Sequence, residues 1–415
     1  MSKFDGRGRA MSAEDWQALR EEIIDLFSPG APIDEVTLFA GRAQQIQKLR
    51  DTLLSKGRHA VVYGERGVGK TSLVNVFHLG STKTSRIHRI YTQCDEADEF
   101  GDMWNRATRK MRFSSVDSVF TGNTLVSSFQ GGDDVETVMS TYMANDIPIV
   151  IFDEFDRVKS ESARAKMAAT IKQLSNTPIA GMIIIVGIAD NIKQLISNHE
   201  SIARQLVQIQ MPRMSPDEQR DVVQKRLLKT KMRISDDALW RITYLACGLP
   251  FYAHALGQAA ALRAIEKQML IITEQTIIEA IPRSFSELDH TILDAYVKAT
   301  VETRKGNIFK EVLAACSLAE QDELGRFSAA SVEAPLSAVI GRDMKAPAFS
   351  FHLNELCNIE RGPILEKEGS RAHFRFRFVE PMMQPYVAIK SLSSNVMSND
   401  ILIKFSPQRQ RELPL

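Results

Sequence analysis

The chain has 415 residues, enough for two or three domains, and its apolar (44%) and charged (25%) content is that of an ordinary soluble globular protein. A net charge of +1 excludes a global electrostatic attraction to nucleic acid or membrane, so any basic face must be local. The four cysteines (Cys94, Cys247, Cys316, Cys357) lie far apart with no metal-ligand spacing, and the eight histidines show no H-E-x-x-H grouping. Reduced thiols and no structural metal are expected.

The first ten residues are polar and lack the apolar core of a signal peptide. The longest apolar run, about 179–189, is too short for a bilayer and reads as a buried strand. A cytoplasmic protein without membrane contact is expected. Residues 12–27 place Trp16, Leu19, Ile23, Ile24 and Phe27 at helical spacing, with Ser12 as N-cap. The run SPGAP (28–32) breaks that helix. FAGR (39–42) then leads into an amphipathic helix at 43–55.

The segment HAVVYGERGVGKTSL (59–73) reads as a short buried strand, a glycine-rich turn and the opening of a helix. Residues 64–71 fit G-x-x-x-x-G-K-[ST] without mismatch. Gly64, Gly67 and Gly69 let the backbone through Glu65, Arg66 and Val68 close around a polyphosphate, with N–H groups aimed at the anion. Lys70 then reaches the β- and γ-phosphates, the Thr71 hydroxyl can ligate Mg²⁺, and Ser72 is counted with the nucleotide-binding residues. The competing reading is a chance match in an ordinary turn, and the flanking strand and helix weigh against it. A nucleoside triphosphate is the expected ligand.

A strand at 85–94 and a helix at 99–111 follow. Residues 113–134, rich in Ser, Gly, Thr and Asp, carry little pattern and predict an exposed insertion or mobile loop. Helix resumes at 135–145. The run IPIVIF (147–152) has the composition of a central parallel strand and ends in Asp153-Glu154-Phe155-Asp156. Acids just past such a strand sit where ligands bind in open α/β sheets. Asp153 is expected to hold magnesium, directly or through water, and Glu154 to polarise the attacking water. The alternative is a solvated acidic cap on a buried strand. Hydrolysis, as distinct from binding, rests on Glu154.

A helix at 160–175, a strand at 182–186, GIADN (187–191), helical pieces at 192–198 and 201–206, and a strand at 207–211 continue the alternation. This pattern predicts a parallel sheet covered on both faces. At SPDE (215–218) the strand signals stop, and Ser, Pro and Glu open a helix at the N-cap, first and third positions. Helical patterning runs to about 279, and a connector at 282–289 leads to a helix at 293–303. The region 306–392 reads as three helices and a hairpin (364–378). Phe374, Phe376 and Phe378 share one face of the hairpin, and His373, Arg375 and Arg377 the other. The expected fold is α/β: a P-loop NTPase (AAA+-like) parallel-sheet core with an α-helical lid and a C-terminal winged-helix domain. The predicted divisions are an N-terminal tail and helix (1–34), the P-loop core (35–214), the lid (215–290), the winged helix (291–392) and a C-terminal tail (393–415) with little core signal.

In this order the features resemble the initiator-type AAA+ ATPases (origin-recognition and cell-division-control proteins) and the related STAND signalling ATPases. The resemblance spans roughly 35–390. It rests on Phe39-Ala40-Gly41-Arg42, the 64–71 loop, Asp153-Glu154 and Val186-Gly187-Ile188-Ala189-Asp190, followed by lid and winged helix. It implies that Phe39 and Arg42 approach the adenine, which favours ATP over GTP. The initiators end their fourth strand in Gly-Ile-Ser-Asn. Here Asp190 takes the Asn position and Asn191 follows, and either is a candidate γ-phosphate sensor. An acid there is unfavourable unless Mg²⁺ or an arginine lies close.

The initiator lid motif Gly-Asp-Ala-Arg is replaced by Gly248-Leu249-Pro250-Phe251-Tyr252-Ala253-His254, so its arginine is missing. The run looks like the Gly-x-Pro box of STAND ATPases, through which Pro250 would grip the nucleotide. His254 is a candidate to face the phosphates, against the commoner fate of a lone helical histidine as a surface or packing residue. Arg204 matches the position of an arginine finger given to a neighbouring subunit, with Arg213 as the alternative; a salt-bridged surface arginine is the bland reading.

The candidate recognition helix, 346–358, offers His352 and Asn354 but also Glu355 and few basic residues. Arg371, Arg375 and Arg377 of the hairpin are better candidates for phosphate contact with duplex DNA, although a solvated strand face is the commoner fate of alternating charge. In STAND proteins the winged helix packs on the nucleotide domain, so the module alone does not imply DNA. The expected function is an ATP- and Mg²⁺-dependent ATPase switch whose ATP or ADP state sets homo-oligomerisation and engagement of a separate effector protein. The alternative is an ATP-dependent DNA-binding loader or target selector. A P-loop kinase is a third reading, against which the acid pair, the lid and the C-terminal module weigh.

Overall fold

A computed structural model describes residues 11–405 apart from 31–32, 34, 80–85, 115–118, 143–145, 178–180, 190–205, 282–289, 302–306, 323–324 and 370–373. The chain separates into two compact units, Pro32–Pro212 and a second formed by Met1–Ala31 with Arg213–Leu415.

Helix α1 (Ala13–Leu26) belongs to the second unit. Its first turn closes reciprocally: the Ser12 hydroxyl accepts from the Asp15 N–H at 3.1 Å, and the Asp15 carboxylate accepts from the Ser12 N–H at 2.8 Å.

The α/β unit runs α2 (Ala43–Leu54), β1 (His59–Tyr63), α3 (Lys70–Val76), β2 (Arg86–Gln93), α4 (Phe100–Thr108), β3 (Arg112–Ser114), β4 (Val119–Thr121), α5 (Gly132–Met139), β5 (Asp146–Asp153), α6 (Glu161–Ser175), β6 (Met182–Gly187) and β7 (Leu206–Gln210). Five strands form one parallel sheet in the order β2-β5-β6-β1-β7. The apolar runs of β5 and β6 are buried without alternation, as strands covered on both faces must be. Each fully buried valine of β1, Val61 and Val62, contributes about 1.5–3 kcal/mol relative to exposure. Only β6 separates β1 from β5, so the loop after β1 and the acids after β5 leave the same edge of the sheet.

The region 113–134 departs from the expected exposed loop. β3 and β4 pair as an antiparallel hairpin with Phe113 opposite Phe120. Phe113 and Phe129 are 6% and 2% exposed and join the core around Trp104 and Val135, with the Phe129 ring stacked on Trp104 at 6.3 Å. Two aromatic anchors set among polar residues make no periodic pattern, which hides them from a sequence reading.

The second unit continues with α7 (Pro216–Leu227), β8 (Arg233–Ile234), α8 (Asp236–Leu245), α9 (Pro250–Glu266), β9 (Ile271–Ile272) and α10 (Glu274–Ala280), with β8 and β9 paired in parallel. Ser215 and Glu218 form the expected capping box. Helix α1 is part of this packing. Arg226 Nε donates to the Leu26 carbonyl at 2.9 Å, and a Cβ at Gly257 would meet the Phe27 ring at 2.6 Å, so only glycine lets that ring lie on α9.

The C-terminal part runs α11 (His290–Thr300), α12 (Phe309–Leu318), β10 (Phe327–Ser328), α13 (Ala329–Ile340), α14 (Ala346–Glu355), β11 (Leu365–Glu368), β12 (Arg375–Phe378), α15 (Met383–Ser393) and α16 (Asn399–Lys404). From α12 to β12 the order helix, strand, helix, helix, strand, strand, with an antiparallel sheet β10-β12-β11, is that of a winged helix. Phe376 and Phe378 face inward as the alternation predicts. The tail beyond 393 carries more core than expected: Met397 and Leu402 are buried, and Ser398 caps α16. Among the described residues no helix is long and apolar enough to cross a membrane.

Candidate nucleotide and metal site

The loop after β1 is shaped by glycines. Gly67 and Gly69 lie in the left-handed region (φ 83° and 92°), where other residues are strained. A Cβ at Gly64 would collide with the Met211 carbonyl oxygen, because β1 and the segment after β7 approach closely; the Met211 N–H donates to Tyr63 O at 2.7 Å. Val68 is buried, and its carbonyl accepts from Arg42 Nη2 at 3.3 Å. Arg42 is itself only 2% exposed and also donates to Pro212 O at 2.6 Å. Phe39 is buried as well. Arg42 therefore braces the loop through a carbonyl. Glu65 and Arg66 lie on its outer turn, half-buried and exposed respectively. The Ser72 hydroxyl is engaged elsewhere, accepting from the Ile33 N–H at 3.1 Å.

Lys70 Nζ donates to the carbonyls of Gly64 (3.0 Å) and Glu65 (2.8 Å). Burial pushes the amine down to about 8, although Asp153, Asp156 and Glu65 act in the opposite sense. A polyphosphate would favour the charged form, so above that pH binding must recapture a proton. Nucleotide affinity is expected to be level from pH 7 to about 8 and then to fall by up to about tenfold per pH unit, as calorimetric titration across that range would read. A profile level through about pH 9.5 would return the Lys70 amine to its ordinary range.

Across β6 from this loop, Asp153 ends β5 and is 3% exposed. Its Oδ2 accepts from the Thr71 hydroxyl at 2.7 Å, and its Oδ1 from the Glu154 N–H at 2.8 Å. Thr71 and Asp153, 82 residues apart in sequence, thus meet as an oxygen pair of the kind Mg²⁺ takes. Glu154 stands at φ 55°, a conformation that costs a non-glycine residue about 1–2 kcal/mol. Its Oε2 accepts from Gln93 Nε2 and from Arg157 Nη1, both at 3.0 Å. Partial burial raises the Glu154 carboxyl, but these hydrogen bonds and the charges of Arg157 and Arg66 outweigh it and hold the group below the usual carboxylate range. Asp156 Oδ1 accepts from the Ile188 N–H at 2.8 Å, fixing the start of the segment after β6.

Three partners of the acids were not singled out from the sequence: Tyr91, whose hydroxyl reaches Asp153, Gln93 and Arg157. Tyr91 and Gln93 share one side of β2, and the Gln93–Asp153 register brings that side to the acids.

Other expected site residues fall differently. His254 is 4% exposed inside the helical unit, its ring edge-on to Phe27, and burial with the nearby Arg226 charge pushes it down to about 3. It is a packing residue in the neutral form, not a group set to meet phosphates. Pro250 starts α9, after a turn in which Cys247 (φ 48°) and Gly248 (φ 81°) are left-handed. Arg213, the alternative finger, donates to Cys247 O at 3.3 Å and Gln384 Oε1 at 2.5 Å, an engagement inside its own unit at odds with donation to a neighbour. Asp190, Asn191, Arg204 and Arg371 lie outside the described residues. Arg377 is paired with Glu366 and Glu368, and Arg375 with Asp322 at 3.3 Å, so these two hairpin arginines are already charge-matched.

Among solved structures, the ORC2 protein of Aeropyrum pernix (ADPNP–ADP complexes) is 13% identical with a TM-score of 0.51, covering 94% of this chain and 98% of that one. The ORC1 protein of the same organism, solved with DNA, is 14% identical with a TM-score of 0.47 over 90% of this chain and 97% of that one. Cdc6p of Pyrobaculum aerophilum gives 14% and 0.47 over 92% and 98%. At such identity the ORC2 likeness shows the fold alone. No curated protein matches the chain. The family model described as Novel STAND NTPase 1 matches residues 33–285, more than half of the chain, including the whole of the loop and the acid pair described above. The chain belongs to the Novel STAND NTPase 1 family.

Proposed function

We propose that this protein is an ATP-driven switch that binds ATP with Mg²⁺, hydrolyses it slowly and lets the nucleotide state set its assembly and its engagement of a separate effector protein. The observation that carries the reading is the Thr71–Asp153 oxygen pair beside a lysine-bearing phosphate loop, with Glu154 next in sequence. The donor set fits the ligands: loop N–H groups and Lys70 for phosphate oxygens, and two hard oxygens for Mg²⁺.

Lys70 would exchange its two carbonyl partners for β- and γ-phosphate oxygens. Mg²⁺ held at Thr71 and Asp153 would supply neutralisation of charge on those oxygens. Glu154 is ionised at neutral pH and can orient and polarise the attacking water, but its Oε2 is taken by Gln93 and Arg157. Turnover needs at least one of those bonds to yield, which supports slow basal hydrolysis that a partner can raise. Arg42 braces the loop through the Val68 carbonyl, Phe39 and Arg42 stay the proposed residues near the adenine, and Pro250 stays the proposed lid contact. Asn191 or Asp190 remains the proposed sensor, and Arg204 the proposed finger.

The DNA-binding alternative draws less support. Helix α14 (Ala346–Glu355) contains no lysine or arginine, and Arg375 and Arg377 are spent on Asp322, Glu366 and Glu368. The direct test of the enzyme reading is release of inorganic phosphate from ATP. Release that requires Mg²⁺, stops in EDTA and needs no acceptor is expected; ADP formed only with a phosphorylated acceptor would replace the switch by a kinase.

A further inference from the structure

Three donors set the rotation of the Asp153 carboxylate: the Glu154 N–H on Oδ1 (2.8 Å), and on Oδ2 the hydroxyls of Thr71 (2.7 Å) and Tyr91 (2.9 Å). They come from three parts of the unit: the turn after β5, the start of α3, and β2. Thr71 is the one that must reorganise if its hydroxyl oxygen turns to a metal. The Tyr91 bond and the Glu154 N–H are then what keep a nearly buried carboxylate from rotating. Tyr91 is itself secured. Lys110 Nζ donates to its carbonyl at 2.6 Å, the Arg89 guanidinium lies 5.8 Å from its ring centre, and its neighbour in the ladder is Ile151, two residues before Asp153.

We infer that Tyr91 is a positioning residue for the metal carboxylate: its hydroxyl holds Asp153 Oδ2 toward Thr71 and so sets the Mg²⁺ affinity of the nucleotide complex. Outer partners of this kind, which touch the ligand and not the metal, are worth about 10–100-fold in metal affinity. The inference rests on the reading of Thr71 and Asp153 as the metal side of the site.

The test is ADP binding by calorimetry at rising Mg²⁺, for the full chain and for Tyr91→Phe, which keeps the ring and loses the hydroxyl. The unaltered protein must bind ADP, more tightly with Mg²⁺ than in EDTA; failure there would overturn the nucleotide-site reading whatever Tyr91 does. Given that, Tyr91→Phe is expected to bind ADP in EDTA as the parent does and to need about tenfold more Mg²⁺. Unchanged or tighter Mg²⁺ dependence would overturn the role of Tyr91 and leave the site intact. Asp153→Asn supplies the second arm. If Tyr91 acts through Asp153, adding Tyr91→Phe to that variant changes Mg²⁺ dependence no further. A full additional loss would mean that the phenylalanine acts by disturbing the fold.

Discussion

Lys70→Ala is expected to weaken nucleotide binding roughly 100-fold, about 3 kcal/mol, the scale found when one partner of a buried charged contact is truncated. The amine is placed for it, since it is partly buried within the loop and held by the Gly64 and Glu65 carbonyls. Neither bond is an ion pair, and the nearly buried Asp153, which loses a neighbouring positive charge, keeps its three hydrogen-bond donors, so thermal stability is expected to stay near that of the parent. Calorimetry with ATP and ADP checks both halves. Affinity retained within threefold would mean that the loop at 64–71 is not where the phosphates sit.

Glu154→Gln is expected to cut hydrolysis by roughly 10²–10⁴-fold, the range for loss of a positioned general base, while ATP affinity is kept or slightly improved. Glutamine has the size of the native residue and an oxygen that can still accept from Gln93 and Arg157, but lacks the charge that polarises water. The Arg157–Glu154 pair is half exposed on both sides, so its weakening hardly touches stability. Single-turnover phosphate release beside equilibrium ATP binding separates the effects. Turnover within tenfold of the parent would move the base elsewhere, with Asp156, which bonds the Ile188 N–H, the first residue to examine.

What the sequence made legible is what is contiguous in it. The 64–71 loop, the acids after β5 and the Ser215 cap each lie in one short window, where glycine spacing, strand composition and cap chemistry act locally. What it left dark depends on how strands pair. Gln93 and Tyr91 reach the acids from about 60 residues away because β2 lies beside β5 in register, and nothing in RIYTQC (89–94) announces that neighbour. The same holds for His254, a candidate to face phosphate from its place after the Gly-x-Pro box. Phe27, far away in α1's exit, closes over it, and burial with the nearby Arg226 charge disfavours a charged imidazole there. The hairpin alternation fixed correctly which face of β12 is apolar. It could not show that Glu366, Glu368 and Asp322 neutralise Arg375 and Arg377 from the other side, since charge matching is a property of the assembled sheet.

The central claim is that nucleotide state sets assembly, and the most direct measurement is particle mass of Glu154→Gln in ATP–Mg²⁺ against ADP–Mg²⁺, by light scattering at one protein concentration. A defined oligomer is expected in ATP, where the switch cannot reset, and a smaller species in ADP. The same mass in both nucleotides, with binding of each shown by calorimetry, would contradict it.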